Sequence, residues 1–302
     1  DWPRWRLIAA EDPPQDPATV DRTASLLAAF AAAHPDRVIE HRAGPGQGFA
    51  ANYLDLLAGV PPDTALAALC DHDDVWMPDK LSRAAAALAA VPPGQPALYG
   101  ARTLVCDRDL RPLRLSIALP RPPGFGHALV QSLAGGNTMV LNRAAIELVR
   151  AALSDLKGGP SAPAIRREGA PIVAPIVAHD WWLYQIISGA GGTVIFDPNP
   201  VLHYRQHGGN VFGSPRTWRG RLLRALRLIN GQMRDWNTIN IAALDRSAHR
   251  LTPQARAQLA AMQAARQGAL PLRPLRLHAA GVYRQTRIET WALYLAALLG
   301  RF

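Results

Sequence analysis

Three carboxylates fall within four residues in the segment Cys70 to Lys80, which reads CDHDDVWMPDK. The preceding run, Ala65 to Leu69, has the composition of a buried strand, and Pro78 opens an Ala-rich helical pattern that extends to about Val91. This order places the carboxylates at the carboxyl edge of a sheet, where open α/β folds bind ligands. Because crowded acidic groups repel one another, the turn predicts a bound cation. Oxygen ligands suit Mg²⁺ or Mn²⁺, ions that usually arrive with a substrate phosphate.

Strand and helix patterns alternate through the first two thirds of the chain. Trp5 to Ala10 and Val38 to His41 have strand patterns, with a helical pattern between them. A Gly-rich turn, Gly44 to Gly48, then leads into a helix that carries Asn52. Such alternation implies crossover units and predicts a mostly parallel sheet flanked by helices.

Local signals continue beyond the acidic turn. Asp107-Arg108-Asp109 predicts a hairpin turn, and Asn142 is a candidate N-cap for a helix over Arg143 to Leu153. His179 is expected to open a further helix that ends in the region from Gly189 to Gly192.

Composition describes a globular chain with an uneven charge distribution. The 302 residues are 49% hydrophobic, and the two cysteines cannot build a disulfide framework, which favours a reducing, cytoplasmic setting. From Arg216 onward there are fifteen Arg and no Lys against three acidic residues, a net charge of +12, which leaves −2 for residues 1–215 of the total of +10. The pattern over Trp218 to Ile229 is that of a basic amphipathic helix, typical of a membrane surface or an acidic partner.

Six separated motifs, in order along the chain, resemble those of inverting family 2 glycosyltransferases with a GT-A fold, and most closely their bacterial rhamnosyltransferase-like branch. These motifs are Gly48 to Asn52, Asp71-His72-Asp73-Asp74-Val75-Trp76, Gly136-Asn137-Thr138-Met139, His179-Asp180-Trp181-Trp182, Tyr204-Arg205-Gln206-His207 and Tyr283-Arg284-Gln285-Thr286.

This resemblance implies a GT-A catalytic domain (the nucleotide-diphospho-sugar transferase fold) over residues 1–213, with a Rossmann-like, mostly parallel sheet, and an Arg-rich helical extension over residues 214–302. Compared with the family, the chain begins at the second strand, so the first strand and helix are expected to be missing. The family's acidic turn is altered here to the segment from Glu11 to Asp16.

The resemblance also implies a donor side of the site. Asp73 is expected to bind a divalent metal, Mg²⁺ or Mn²⁺, and His207 either completes the metal shell or touches the diphosphate. Asp71 is expected to contact the ribose or the metal's water shell, and Arg205 to pair with phosphate oxygens. Two further residues, Asp12 and Asn52, are expected on the donor side. The alternative for the acidic cluster is a solvated turn in which Asp caps a helix.

Asp180 is the candidate general base, and His179, Trp181 and Trp182 are expected on the acceptor side. The two tryptophans offer flat apolar surfaces on which a sugar could stack. Desolvation would raise the pKa of Asp180, whereas a helix N-terminus would lower it, and the sequence does not decide between them. In the alternative, Asp180 only caps its helix and the tryptophans belong to the core.

The expected function is metal-assisted, inverting transfer of rhamnose or another deoxyhexose from a nucleotide-diphosphate donor to a cell-surface polysaccharide or lipid-linked acceptor. The basic tail would rest on the inner face of the bacterial plasma membrane, and no nucleic-acid partner is expected. Two alternatives remain at this point: a non-catalytic or truncated binding module of the same fold, and a metal phosphohydrolase.

Overall fold

The computed structural model describes residues 1–13, 21–157, 176–206 and 232–302. Several sequence predictions fall outside these ranges: the metal ligand His207, the amphipathic helix over Trp218 to Ile229, part of the turn from Glu11 to Asp16, and the domain boundary at residue 213. The described part forms an α/β fold of strands, helices and short 3-10 turns.

The described strands and helices follow one another in an order that groups most strands in the first two thirds of the chain. The strands are β1 (Arg6–Glu11), β2 (Val38–Ala43), β3 (Leu66–Ala68), β4 (Val75–Trp76), β5 (Ala97–Cys106), β6 (Pro112–Leu115), β7 (Val140–Asn142) and β8 (Thr193–Arg205). The helices are α1 (Thr23–Ala33), α2 (Phe49–Ala58), α3 (Lys80–Ala89), α4 (Phe125–Ala128), α5 (Arg143–Lys157), α6 (His179–Gly189), α7 (Gln232–Arg246), α8 (Pro253–Gln267), α9 (Arg273–Ala279) and α10 (Arg287–Leu298).

The sheet is mixed, so the prediction of a mostly parallel sheet was wrong. The main sheet has the order β3-β7-β5-β8-β4, with β6 paired to β5, and β5 with β8 is its one parallel pair among the described residues. β1 and β2 form a separate parallel pair in which Arg6 lies opposite Val38. The difference arises from the connections between strands. A hairpin links β5 to β6 and a loop connection leads on to β7, and both β6 and β7 run antiparallel to β5. Crossover helices would have kept these strands parallel to β5.

Local signals in the sequence were more reliable than the sheet direction. Asn142 precedes α5, as predicted for an N-cap, and its Oδ1 accepts the backbone N–H of Ala145 at 2.9 Å. The predicted hairpin turn at Asp107 is also present, since Asp107 Oδ1 accepts the N–H groups of Asp109 and Arg111, each at 2.9 Å. These side chains stabilise the turns that set the limits of β5 and α5.

The C-terminal helices share the hydrophobic core of the N-terminal part. The fully buried Trp182 of α6 belongs to the same cluster as Leu244, Met262 and Phe302 from the extension. The extension is also hydrogen-bonded to the loop before α4, where the Tyr283 hydroxyl donates to Pro122 O at 2.8 Å. The helices of the extension therefore pack as part of the body that carries the site.

Candidate functional site

The acidic turn lies directly after β3, as the sequence predicted. Oxygen atoms of Asp71, Asp73 and Asp74 all lie within 4.8 Å of one another, and each of the three residues is half-buried. Such a set offers several hard oxygen ligands on one side of a turn, which is the donor chemistry that Mg²⁺ and Mn²⁺ prefer.

Segments that are distant in sequence hold two of these carboxylates. The Tyr53 hydroxyl, on α2, donates to Asp71 and also lies 2.7 Å from Cys70 O. The side-chain amide of Asn137 donates to Asp74, and the backbone N–H of Arg205 donates to the other oxygen of Asp74 at 3.1 Å. The geometry of the turn thus depends on α2, on the 3-10 turn at Gly136–Thr138 and on the end of β8.

A buried lysine lies beneath the acidic turn and was not singled out as a site residue in the sequence. The Lys80 side chain is only 1% exposed, donates to Asn137 O at 2.6 Å and lies 3.4 Å from the centre of the Trp76 ring. Burial lowers the pKa of its ammonium group to about 7, although the negative charges of Asp74 and Asp71 oppose this shift. The available signal was its position at the start of the helix that follows Pro78.

Burial also disfavours the charged form of the carboxylates. Desolvation is the largest effect on Asp71 and Asp74 and raises the pKa of both, to about 6 for Asp74, and the neighbouring carboxylates add to it. Lys80 lowers the pKa of Asp71 but does not reverse the shift. An added cation would stabilise the ionised cluster, and the metal site stays a prediction.

Arg205 lies beside the cluster and is engaged by main-chain carbonyls. Its Nε donates to Asp73 O at 2.9 Å, and one terminal nitrogen donates to Arg108 O at 2.7 Å. These contacts join β8 to the acidic turn and to the β5–β6 hairpin. The pairing of Arg205 with a donor phosphate stays a prediction.

Asp12 and Asn52 build the Gly-rich turn after β2. Asp12 Oδ1 accepts the Gly46 N–H at 3.0 Å and the Asn52 amide at 3.2 Å, and its Oδ2 accepts the Gly48 N–H at 2.9 Å. Both Gly46 and Gly48 have positive φ angles, of 67° and 89°, which favour glycine. The structure gives both side chains a part in this turn, and their proposed contact with the donor is untested.

His179 begins α6 and is packed rather than open to solvent. Its ring is 4% exposed, stacks on Tyr53 with centroids 4.1 Å apart and meets Phe49 edge-on at 5.8 Å. Burial lowers the pKa of the imidazole to about 3, so the ring is neutral. A Cβ atom on Gly136 would overlap the His179 ring, so this packing requires glycine there. His179 therefore packs the start of α6 against Tyr53 and Gly136, two residues from segments that contact the acidic turn.

The carboxyl group of Asp180, the predicted base, is electrostatically coupled to the acidic turn. Its Oδ1 accepts the backbone N–H of Trp181 at 2.7 Å, and the residue keeps partial solvent exposure. Burial raises its pKa to about 6, and the negative charge of Asp71 contributes to the rise, whereas hydrogen bonds from Trp181 and Ser132 lower it. Desolvation therefore affects the pKa of Asp180 more than the helix N-terminus does. The sequence alone left open which of these two effects is larger.

The structure corrects the role expected of Trp181 and Trp182. Trp182 is completely buried, and Trp181 is 6% exposed with its Nε1 donating to Ala128 O at 2.6 Å. Trp181 also packs edge-on against Trp236 of α7, with centroids 6.3 Å apart. Protein atoms cover both indoles, so neither offers a sugar a stacking surface in this conformation. The pair belongs to the core, as the alternative interpretation held.

Comparison with known proteins adds no assignment, because no family model and no curated protein matches the chain.

Proposed function

We propose that this protein is a metal-assisted, inverting glycosyltransferase of the GT-A type. It would move rhamnose or another deoxyhexose from a nucleotide-diphosphate donor to a cell-surface polysaccharide or lipid-linked glycan. One observation carries the proposal: three carboxylates cluster within 4.8 Å, and Tyr53, which donates to Asp71 of that cluster, stacks on His179, the residue next to Asp180. A cation site and a candidate base therefore adjoin.

The acidic turn fits a divalent cation by its donor set. Asp73 would hold Mg²⁺ or Mn²⁺, with Asp71 contributing directly or through a water molecule and Asp74 fixed by Asn137. Desolvation, which raises the pKa of Asp71 and Asp74, indicates that the cluster gains from positive charge. A bound cation would neutralise the charge that develops on the departing diphosphate.

Asp180 would accept the proton of the acceptor hydroxyl. As the acceptor oxygen forms its bond to the anomeric carbon, the bond from that carbon to the diphosphate oxygen breaks, and the proton passes to the Asp180 carboxylate. A pKa of about 6 leaves Asp180 ionised at neutral pH and more basic than an ordinary aspartate. His179, which is buried and neutral, would position the base rather than touch the acceptor.

The proposed acceptor implies a cytoplasmic protein at the inner face of the bacterial plasma membrane. No helix in the described ranges is long and apolar enough to cross a bilayer. Contact with the membrane would then be peripheral, through the Arg-rich extension.

The test is a screen of nucleotide sugars by thermal shift with and without Mn²⁺, followed by transfer assays on the donor that binds. Asp180→Asn should abolish transfer and leave donor binding intact, because the amide cannot take the proton. Normal transfer by Asp180→Asn would remove Asp180 from the role of base. Donor binding without transfer in the native protein would favour the non-catalytic module. Release of inorganic phosphate from a phosphorylated substrate without an acceptor would favour the phosphohydrolase.

A further inference from the structure

The last helix of the chain, α10, has two apolar faces, and the described residues cover only one of them. Leu293, Ala296 and Ala297 are buried against the body of the protein. On the opposite side, Ile288 is 83% exposed and Trp291 is 72% exposed. Successive helical residues are rotated by about 100°, so Ile288, Trp291, Leu295 and Leu298 form one continuous stripe.

The segment that packs beside this helix also carries exposed apolar side chains. The 3-10 turn Leu270–Leu272 and α9 both pack against α10. Leu272 and Leu275 from this segment are exposed as well, at 46% and 66%. We call the six residues Leu272, Leu275, Ile288, Trp291, Leu295 and Leu298 the tail patch. Grouped exposed apolar side chains of this size mark a protein or membrane interaction site.

Exposed arginines lie in the same segment of the chain as the tail patch. Arg276, Arg287 and Arg301 are exposed in the same C-terminal segment. The only acidic residue between positions 270 and 302 is Glu289. Its carboxylate serves the capping box with Thr286 and lies 3.8 Å from Arg284, so it does not offset the exposed arginines.

We infer that the tail patch is an interfacial membrane-binding surface that recognises anionic lipid. Exposed Trp and aliphatic side chains flanked by arginines match the chemistry of the headgroup and acyl boundary. At 12 residues, α10 is about 18 Å long, far short of the roughly 30 Å hydrocarbon core, so it would lie in the interface rather than cross it. This inference does not rest on the proposed function.

Charge favours lipid over the other occupants of the patch. A second copy docked on the same surface would bring arginines against arginines with no unengaged acid in the segment to pair with them. Residues 216–229 of the same chain carry five arginines and no acidic residue, so they are also poorly matched to the patch. Anionic headgroups supply the complementary charge that both protein occupants lack.

The test is flotation of the full chain with vesicles of phosphatidylcholine and phosphatidylglycerol in a ratio of about 7 to 3. The native protein should bind these vesicles, bind pure phosphatidylcholine vesicles much more weakly, and lose affinity at raised salt. Trp291→Ser with Leu295→Ser should weaken binding at least about tenfold, and Arg276→Glu with Arg287→Glu should act in the same direction. The matched control is Ile117→Ser, an equally apolar side chain that is 60% exposed outside the patch.

A second measurement does not depend on the folding of the double variants. Brominated lipid should quench Trp291 fluorescence in the native chain, and Trp291→Phe should lose that part of the quenching while still floating with the vesicles. Equal binding to neutral and anionic vesicles, or unchanged binding by the Trp291 and Leu295 double variant, would overturn the inference. So would a native dimer, seen by analytical ultracentrifugation, that the double variant converts to a monomer.

Discussion

The acidic segment after β1, which holds Asp12, and the acidic turn after β3, from Asp71 to Asp74, have carboxylates in different environments and are called the first and the second turn. At the first turn, backbone N–H groups and an amide occupy both oxygens of Asp12. At the second, Asp71, Asp73 and Asp74 crowd within 4.8 Å of one another above the buried ammonium group of Lys80. Hydrogen bonds within the fold satisfy the Asp12 carboxylate. The carboxylates of the second turn carry more negative charge than the nearby hydrogen-bond donors and the Lys80 ammonium group neutralise.

This difference separates a structural acid from a candidate ligand-binding acid. The Asp12 carboxylate completes a turn, so its removal should change stability more than binding. Asp71 and Asp74 of the second turn have raised pKa values, so removal of carboxylates from this turn should change binding more than stability. The same kind of substitution is therefore expected to lower mainly stability at the first turn and mainly ligand binding at the second.

The largest expected effect is on metal binding at the second turn. Asp73→Ala should weaken Mn²⁺ binding by at least about a hundredfold, because a carboxylate ligand is lost, and isothermal titration calorimetry measures it. Asp79→Ala is the matched control, since Asp79 belongs to the same segment and is exposed outside the cluster. Equal losses in the two variants would mean that the response to Mn²⁺ reports general charge instead of a site.

Gly136→Ala should destabilise the protein by about 2–4 kcal/mol, since the new methyl group overlaps the buried His179 ring. Urea unfolding measures the change, and Gly124→Ala is the matched control, because neither glycine has a positive φ angle and a methyl group at Gly124 would meet only the Tyr283 hydroxyl at 3.5 Å, an ordinary contact. Recovery of stability when His179→Ala is added to Gly136→Ala would confirm that the new methyl group clashes with the His179 ring. An unchanged unfolding midpoint in Gly136→Ala would contradict the close packing.

At the first turn, Asp12→Ala should lower the free energy of unfolding by about 1–3 kcal/mol, because the Gly46 and Gly48 N–H groups lose their acceptor. Chemical denaturation gives the magnitude. Mn²⁺ affinity should stay at the native value in the folded variant. A loss of Mn²⁺ binding comparable to that of Asp73→Ala would erase the distinction between the turns.

The smallest effect is a pH dependence of stability centred on Asp180. Its pKa is raised from 3.8 to about 6 on folding, so between these values the folded state binds more protons than the unfolded state. Stability should therefore fall as pH rises through this window, and Asp180→Asn should be more stable than the native protein by about 1–3 kcal/mol at pH 7. Thermal unfolding between pH 4 and pH 7 measures the slope, to which Asp74 contributes with the same sign. A steeper slope in Asp180→Asn than in the native protein would contradict the shift.

Sequence reasoning predicted the local elements around the candidate site better than it predicted how those elements pack. The acidic turn follows its strand, and α6 begins at His179 and ends at Gly189. Asn142 caps the start of α5. Each of these signals is local: an apolar run, a glycine or a cap. The direction of β7 depends on how the chain returns from β6, which no local pattern records. The burial of Trp181 and Trp182 is equally non-local, since it depends on α7, Ala128 and the C-terminal core.

Lys80 shows the same limit within the site. Its sequence position, six residues after Asp74, is equally compatible with an exposed helix residue and with a buried counter-charge. Only the packing of Trp76 against its ammonium group and the approach of Asn137 O decide between them. Contacts between segments more than fifty residues apart thus determine the electrostatics of the turn.

The central claim is that the second acidic turn binds a diphosphate through a divalent cation while Asp180 serves the acceptor. Calorimetric titration of a nucleoside diphosphate into the protein, with and without Mn²⁺, tests it most directly. Binding should require Mn²⁺, disappear in Asp73→Ala and persist in Asp180→Asn. Equal diphosphate affinity without Mn²⁺, or undiminished affinity in Asp73→Ala, would contradict it.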